Sequence, residues 1–267
     1  MSDWLHSLPI LWMALLVFGL TALVTAAIHI AVAVLSVGER ARSFKAVSPG
    51  MLPPLGILFA VFIAFTASQV WNDNDRASSV VDREASALQA VVFLAAAFPG
   101  EPETRLRSLI SSYVKDAVAQ EWPKMAHRTA TLRMIPSSLA EALQLTLALT
   151  PSNQGQQTAQ REITTALENA LDARRQRIIV SRSAVSWLKW LCLCLQAACA
   201  LLAIAMVHSD NRLASAITIG LFGIGVAASL LLIIAYDRPF IGELSVGPAR
   251  LLQAMPEPEA GQHGIKP

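Results

Sequence analysis

The sequence predicts an all-α integral membrane protein with four transmembrane helices and a helical extramembrane domain between the second and third. The chain is 54% hydrophobic and only 15% charged, whereas a typical soluble domain has about 25% charged residues. The deficit is concentrated in four runs without Asp, Glu, Lys or Arg, at residues 4–38, 46–72, 190–209 and 213–236. Crossing the hydrocarbon core takes about 20 apolar residues, and in lipid a helix satisfies its own backbone hydrogen bonds.

The first span is predicted over residues 9–37 and the second from Met51 to Trp71. The first run is too long for a cleaved signal peptide, and no Lys or Arg precedes it, so we expect a retained span. The second span opens on two prolines, which the first helical turn tolerates. The loop between the two spans carries Arg40, Arg42 and Lys45.

The third span is predicted over 185–207 and the fourth ends at Tyr236. Only residues 208–212 connect them, so these two helices must be antiparallel neighbours. Buried free cysteines behave as small apolar packing residues, and we assign that role to those of the third span rather than a disulfide or zinc site. They are Cys192, Cys194 and Cys199. Small residues of span four allow close helix approach, namely Gly220, Gly223, Gly225 and Ala227.

The segment between spans two and three has a different composition, with 13 basic and 12 acidic residues between Asn72 and Ser183. Between its Pro and Gly breaks, apolar residues recur at helical spacing. We predict helices at 73–98, 103–127, 136–149 and 154–184, with the first and last continuing into spans two and three. The predicted divisions are spans one and two (1–72), a helical domain (73–184), spans three and four (185–237), and a turn with a disordered tail (238–267).

Several classes of function have no support in the sequence. The net charge is only +2 and no basic tract stands out, so we expect no nucleic-acid binding. The five histidines are scattered and no phosphate-binding loop is present, so we expect neither an enzyme, nor a cofactor, nor a metal site. His29 lies within span one, where a polar group is either functional or, as we favour, a hydrogen-bonded packing residue between helices.

Two places carry candidate functional residues, one within span two and one at the membrane boundary after span four. Ile57, Val61 and Phe65 recur at i, i+4 and i+8 and therefore share one face of span two. Such a face packs against lipid or neighbouring helices, or it lines a narrow pore that gates by dewetting. After span four we predict a fixed turn that docks on the helical domain or on a neighbouring subunit. Its residues are Asp237, Arg238, Pro239, Phe240, Gly242 and Glu243.

The residues from Arg238 to Glu243 resemble the RPF-x-G-E signature of the bacterial bestrophin-like proteins, a family of unknown function. The resemblance extends over residues 8–255 and has four further marks. These are Leu55-Gly56, Trp71, Glu121-Trp122-Pro123 and Ser181-Arg182-Ser183. More distantly, residues 55–65 are similar to the second span of the bestrophins proper, which are pentameric ion channels.

The resemblance implies a homo-oligomer, a pentamer in bestrophins, in the bacterial inner membrane with cytosolic termini and a cytosolic helical domain. It places Ile57, Val61 and Phe65 in the pore constriction, and Asn72, Asp73 and Arg76 in a vestibule. The implied partners are copies of this chain, membrane lipid and permeant ions whose type the sequence does not specify. In bestrophins an N-P-F-G-E segment, similar to residues 238–243, follows the fourth span, and those that bind calcium carry an acidic run after it. Residues 244–248 hold no carboxylate. We therefore expect no calcium clasp.

The sequence alone leaves open the orientation in the membrane and an alternative function. Basic residues near the span ends lean slightly toward cytosolic termini, but the short loop at 38–50 indicates the opposite orientation. The alternative function is a non-conducting membrane scaffold or sensor whose helical domain binds a partner. A transporter is less favoured, because the spans show neither an internal repeat nor a broken helix.

Overall fold

The computed structural model describes residues 3–36, 44, 48–133 and 135–256. Within those ranges the secondary structure is helical, and no strand is formed. The helices are, in chain order, α1 (Asp3–His6), α2 (Ile10–Leu35), α3 (Leu52–Leu94), α4 (Glu101–Asp116), α5 (Trp122–Ala126), α6 (Ser137–Ala148), α7 (Gln154–Val180), α8 (Trp187–Val207), α9 (Arg212–Tyr236) and α10 (Ala249–Leu252). The predicted loop residues Arg40, Arg42 and Lys45 and the predicted disordered tail beyond 256 lie outside the described residues.

The chain divides into two compact units. The membrane unit comprises Met1–Asn74 and Ser183–Ser245, and the helical unit comprises Asp75–Arg182 and Val246–Pro267. Four helices are long and apolar enough to cross a membrane: Ile10–Leu35, Pro49–Ala97, Trp187–Val207 and Arg212–Tyr236. The prediction of an all-α membrane protein with four spans is thus confirmed.

In the membrane unit, α2 packs closely on α9. A side chain added at Gly223 would place its Cβ atom 2.7 Å from the Thr25 hydroxyl, so only glycine permits this approach. Ala227 is buried in the same contact with Met13 and Val17 of α2. Gly220 and Gly225 were expected to serve the same purpose, but an added Cβ atom at either would meet no atom within 4 Å.

The prediction that the last helix of the central segment runs into span three is wrong. α7 ends at Val180 and α8 begins at Trp187. The Ser181 hydroxyl donates to the carbonyl of Ile178 at the end of α7, and the backbone N–H of Val185 donates to Asp237 instead of continuing a helix. By contrast, α3 is continuous over 43 residues, as predicted for the junction with span two.

The helical unit is built on the buried faces of amphipathic helices. The periodic residues of α4, from Leu106 to Val114, are buried as their spacing predicts. α4 packs on α6. Leu88 of α3, Leu139 of α6 and Ile163 of α7 are likewise fully buried. The predicted helix 103–127 is interrupted by a wider π-type turn at Ala117–Glu121. α10 also belongs to this unit, with Leu251 fully buried, although from the sequence we assigned it to the turn and tail.

Candidate functional site

The predicted constriction residues lie on a face of α3 that is open in the single chain. Ile57, Val61 and Phe65, here called the collar residues, are 63%, 48% and 74% exposed. The opposite face of the same helix is packed, with Phe59 and Val70 buried against α8 and α9. The collar residues are therefore available either to lipid or to another copy of the chain, and their role as a constriction stays a prediction.

At the middle of α3, past the end of the predicted span two, the open face becomes polar. Asn72 and Arg76, one helical turn apart, are both exposed, whereas Asp73 between them is partly buried. Asn72 and Arg76 thus continue the line of the collar residues, and Asp73 is rotated away from it. The three predicted vestibule residues do not form one cluster, although two of them share the exposed face.

Aromatic and polar contacts fix the rotation of α3 within the membrane unit. Phe59 packs against Phe222 of α9 with ring centroids 5.8 Å apart. Trp71 stacks on Tyr236 at 5.9 Å with nearly parallel rings, and Lys189 of α8 donates to the Gln69 side chain. Aromatic pairs of this kind add about 0.5–1.5 kcal/mol beyond the area they bury. These contacts hold one face of α3 inward and leave the collar face outward.

The turn after span four is buried and anchored within the membrane unit. The residues from Asp237 to Phe240 are all buried. One oxygen of Asp237 accepts from the backbone N–H of Val185 at 2.6 Å, and the other lies 3.5 Å from Nε2 of His6. This geometry joins the end of span four to the start of span three and to the N-terminal segment.

Gly242 and Glu243 complete the same anchor. Gly242 has φ of +96°, and an added Cβ atom would lie 2.8 Å from the carbonyl oxygen of His6, so a side chain is excluded on both grounds. The Glu243 carboxylate accepts from the backbone N–H of Ile10 at 3.2 Å. From the sequence we expected the turn to dock on the helical domain or a neighbouring subunit. Docking on the N-terminal segment was not anticipated, because no local pattern links residues more than 200 positions apart.

The helical unit contains a buried charge cluster that sequence reasoning missed. Arg177 is 0% exposed and makes two bonds to Glu84, from Nε at 2.6 Å and from Nη2 at 3.0 Å. Its Nη2 also donates to Glu121 at 3.0 Å, and its guanidinium lies 4.8 Å from the ring centroid of Trp122. The Tyr113 hydroxyl donates to the same Glu84. In the sequence, this cluster was indicated only by Glu121 and Trp122, which belong to the resemblance to the bestrophin-like family.

The ionisation of this cluster follows from burial and charge pairing. Burial raises the pKa of Tyr113 well above its usual value, and the neighbouring Glu84 carboxylate raises it further. Burial acts to lower the pKa of Arg177, but the adjacent Glu84 outweighs it and the pKa rises above its usual value. Arg177 therefore stays charged and Tyr113 stays neutral, so the cluster is a fixed structural element at ordinary pH.

No group of three or more His, Cys, Asp or Glu side chains with metal-binding geometry occurs among residues 3–36, 44, 48–133 and 135–256. The free cysteines Cys192, Cys194 and Cys199 all lie on α8. His29 is partly buried in the membrane unit, with its Nδ1 atom 3.3 Å from the Ser215 hydroxyl of α9. That contact fits the interhelical packing role favoured above.

The fold defines the class of protein. It is a helical membrane protein with four spans and a separate helical unit, most of which lies between the second and third spans in the sequence. The chain belongs to the bestrophin-like family, because the family model for the bestrophin-like domain matches residues 19–251. The resemblance inferred from the sequence is thereby confirmed. No curated protein matches the chain.

Solved structures share this fold at low sequence identity. A bacterial bestrophin homologue from Klebsiella pneumoniae that carries an isoleucine-to-threonine mutation matches with a TM-score of 0.71 and 14% identity, covering 91% of this chain and 97% of that one. A bestrophin homologue from Klebsiella pneumoniae that carries a leucine-to-threonine mutation matches with a TM-score of 0.69 and 13% identity, covering 91% and 96%. At this identity the match establishes the fold alone.

Proposed function

We propose that the protein is an oligomeric ion channel of the bacterial inner membrane, in which copies of α3 line the pore. Membership of the bestrophin-like family supports this function, because the family resembles the bestrophin ion channels. The proposal includes a homo-oligomer, a pentamer by analogy, with both termini and the helical unit on the cytoplasmic side. It includes no catalytic activity.

The observation that carries the proposal is the unpartnered face of α3. Its collar residues are exposed apolar side chains, and the polar Asn72 and Arg76 follow on the same helix. In a ring of copies, eight residues at about 1.5 Å rise each would form an apolar collar about 12 Å tall. Ions entering it would lose water without gaining ligands, so the collar would act as a gate rather than a filter.

Recording from planar bilayers tests this function. Replacing all three collar residues by alanine should widen the constriction and raise the single-channel conductance above that of the wild type. A matched control replaces three exposed apolar residues of α9 that also share one face, Ile217, Leu221 and Ile224, and should leave the conductance unchanged. An equal change in both triple variants, or no current from any of the proteins, would contradict the proposal.

A specific feature of the helical unit favours the alternative function, a non-conducting scaffold or sensor. A groove of about 970 Å³ lies between α3, α7 and α10. It is polar, with Asp75, Glu162 and Asp172 along its walls and Arg250 bonded to Asp82 at one side. A scaffold would place a partner in this groove and carry no current, so the bilayer recording separates the two functions.

A further inference from the structure

The loop between α5 and α6, residues 127–136, lies in a stretch of the chain without acidic residues. Residues 122–140 include three Lys or Arg and no Asp or Glu. Residues 173–187, at the end of α7 and in the link to α8, include four arginines and again no carboxylate. Two of those arginines, Arg174 and Arg177, are paired with glutamates of the helical unit. The other basic residues of both stretches give this part of the unit a positive charge.

The fold brings these two stretches together. Arg182, just beyond α7, donates from Nη2 to the carbonyl of Ala130 at 2.6 Å. Ala130 and Ile135 of the loop line one cavity with Ile178, which lies in the last turn of α7. The loop therefore lies against the C-terminal end of α7.

This end of α7 is joined to a membrane span by a short segment. Arg182 is five residues before Trp187, where α8 begins, and α8 is long and apolar enough to cross a membrane. At up to about 3.6 Å per residue, Arg182 lies within about 18 Å of Trp187. Trp187 is exposed, and tryptophan is enriched at the depth of the lipid headgroups. The length of the linking chain thus keeps the loop near the membrane surface.

Among its described residues, the loop exposes two large apolar side chains, although its backbone is hydrogen-bonded. Ala130 is buried, and its N–H donates to the carbonyl of Lys124 at 3.2 Å. Leu132 and Ile135 are nonetheless 40% and 66% exposed, and Ile179 at the end of α7 is 52% exposed. Single exposed apolar residues are normal on protein surfaces. Several of them beside basic side chains fit a lipid surface, where apolar groups enter the acyl boundary and basic groups meet anionic headgroups.

We propose that this loop docks on the membrane surface and binds anionic phospholipid. Leu132 and Ile135 enter the boundary between headgroups and acyl chains. Lys124 and Arg133, both exposed, contact the phosphate groups of the lipids. The docking is independent of ion conduction, so either proposal can fail without the other.

Site-directed spin labelling of the full chain in lipid nanodiscs tests the docking. The native cysteines Cys192, Cys194 and Cys199 are replaced by alanine, and a nitroxide is attached to Leu132→Cys or to Ile135→Cys. The nanodiscs contain phosphatidylglycerol, which is anionic, mixed with phosphatidylcholine. Both labels should collide more often with oxygen, which concentrates in lipid, than with a water-soluble nickel complex.

Leu147→Cys is the matched control. Leu147 is 63% exposed and lies at the other end of α6. There the carbonyls of Thr146 and Leu149 accept from the side chain of Gln160, which is about 30 Å along α7 from Val180 at a rise of about 1.5 Å per residue. A label at this position should collide more often with the nickel complex than with oxygen.

The charge contribution is tested on the Leu132→Cys label. Arg133→Gln should lower the ratio of docked to undocked loop about fivefold, the effect of one basic residue at an anionic surface, and nanodiscs of phosphatidylcholine alone should lower it further. Labels at both loop positions that meet the nickel complex as often as the control would place the loop in water. Labels shielded from both reagents would place it against another copy of the chain. Either result overturns the docking, and so does an unchanged ratio without the anionic lipid.

Discussion

Replacing Glu84 by glutamine tests the buried charge cluster of the helical unit. Glu84 and Arg177 are both 0% exposed in their side chains, and two hydrogen bonds join them. The variant leaves Arg177 charged, because its pKa lies above the usual value, and it leaves only Glu121 to balance that charge. Breaking a buried ion pair in this way costs about 3–5 kcal/mol.

The magnitude is measured by thermal unfolding of the full chain in detergent. At about 2–4 °C per kcal/mol for a chain of this size, we expect the melting temperature to fall by roughly 10 °C. The matched control is Glu141→Gln, which breaks the Arg105–Glu141 pair, whose side chains are 54% and 47% exposed. An exposed pair contributes about 0–1 kcal/mol, so this variant should melt close to the wild type.

A double-mutant cycle completes the test. Arg177→Met alone should also destabilise the unit, because it leaves Glu84 buried with only Tyr113 as a partner. The combined variant should be less destabilised than the two single effects predict together, by up to about 3 kcal/mol of coupling for residues in direct contact. Equal melting temperatures for Glu84→Gln and Glu141→Gln, or strict additivity in the cycle, would refute the reasoning.

Three other predictions concern the turn after span four and the topology. Phe240→Ala should destabilise the protein by about 3–5 kcal/mol, as for an aromatic removed from a packed site; an unchanged melting temperature would show that Phe240 is not packed. Gly242→Ala should cost about 1–3 kcal/mol through strain and the clash with the His6 carbonyl, whereas Gly247→Ala, which meets no atom within 4 Å, should be neutral. A reporter fused after Pro267 should be active only if it functions in the cytoplasm, and periplasmic activity would reverse the proposed orientation.

Much of the fold could be predicted from the sequence, because lipid restricts the choice. Uncharged runs of sufficient length predict spans almost independently of packing, and the structure places helices at all four. In the helical unit, the spacing from Leu106 to Val114 identified a buried face correctly. Both inferences depend on neighbours within one helix, which local patterns capture.

Features set by distant residues could not be predicted. The helix break between Val180 and Trp187 contains neither proline nor glycine, and one of its N–H groups is satisfied by Asp237, 52 residues further along. Glu84 and Arg177 are separated by 93 residues. In the sequence, each would be expected to be an exposed charged residue. Only the folded chain shows that these groups are paired and buried.

The candidate pore face of α3 could be predicted from the sequence only in part. The spacing of Ile57, Val61 and Phe65 predicted that they share one side of a helix, and the structure places that side outside the packed core of the chain. Contacts within one chain do not determine whether lipid or another copy of the chain covers this side. The pore-lining role accordingly remains a proposal, whereas the family and the four-span fold are established.

The symmetry and axial lining of the purified full-length particle test the central claim most directly. An experimental structure of the protein in detergent or lipid should show a closed ring of identical subunits. Ile57, Val61 and Phe65 of every copy should face the central axis, with Asn72 and Arg76 further along the same path. A particle with one copy of the chain, or a ring in which these side chains face lipid, would contradict the account.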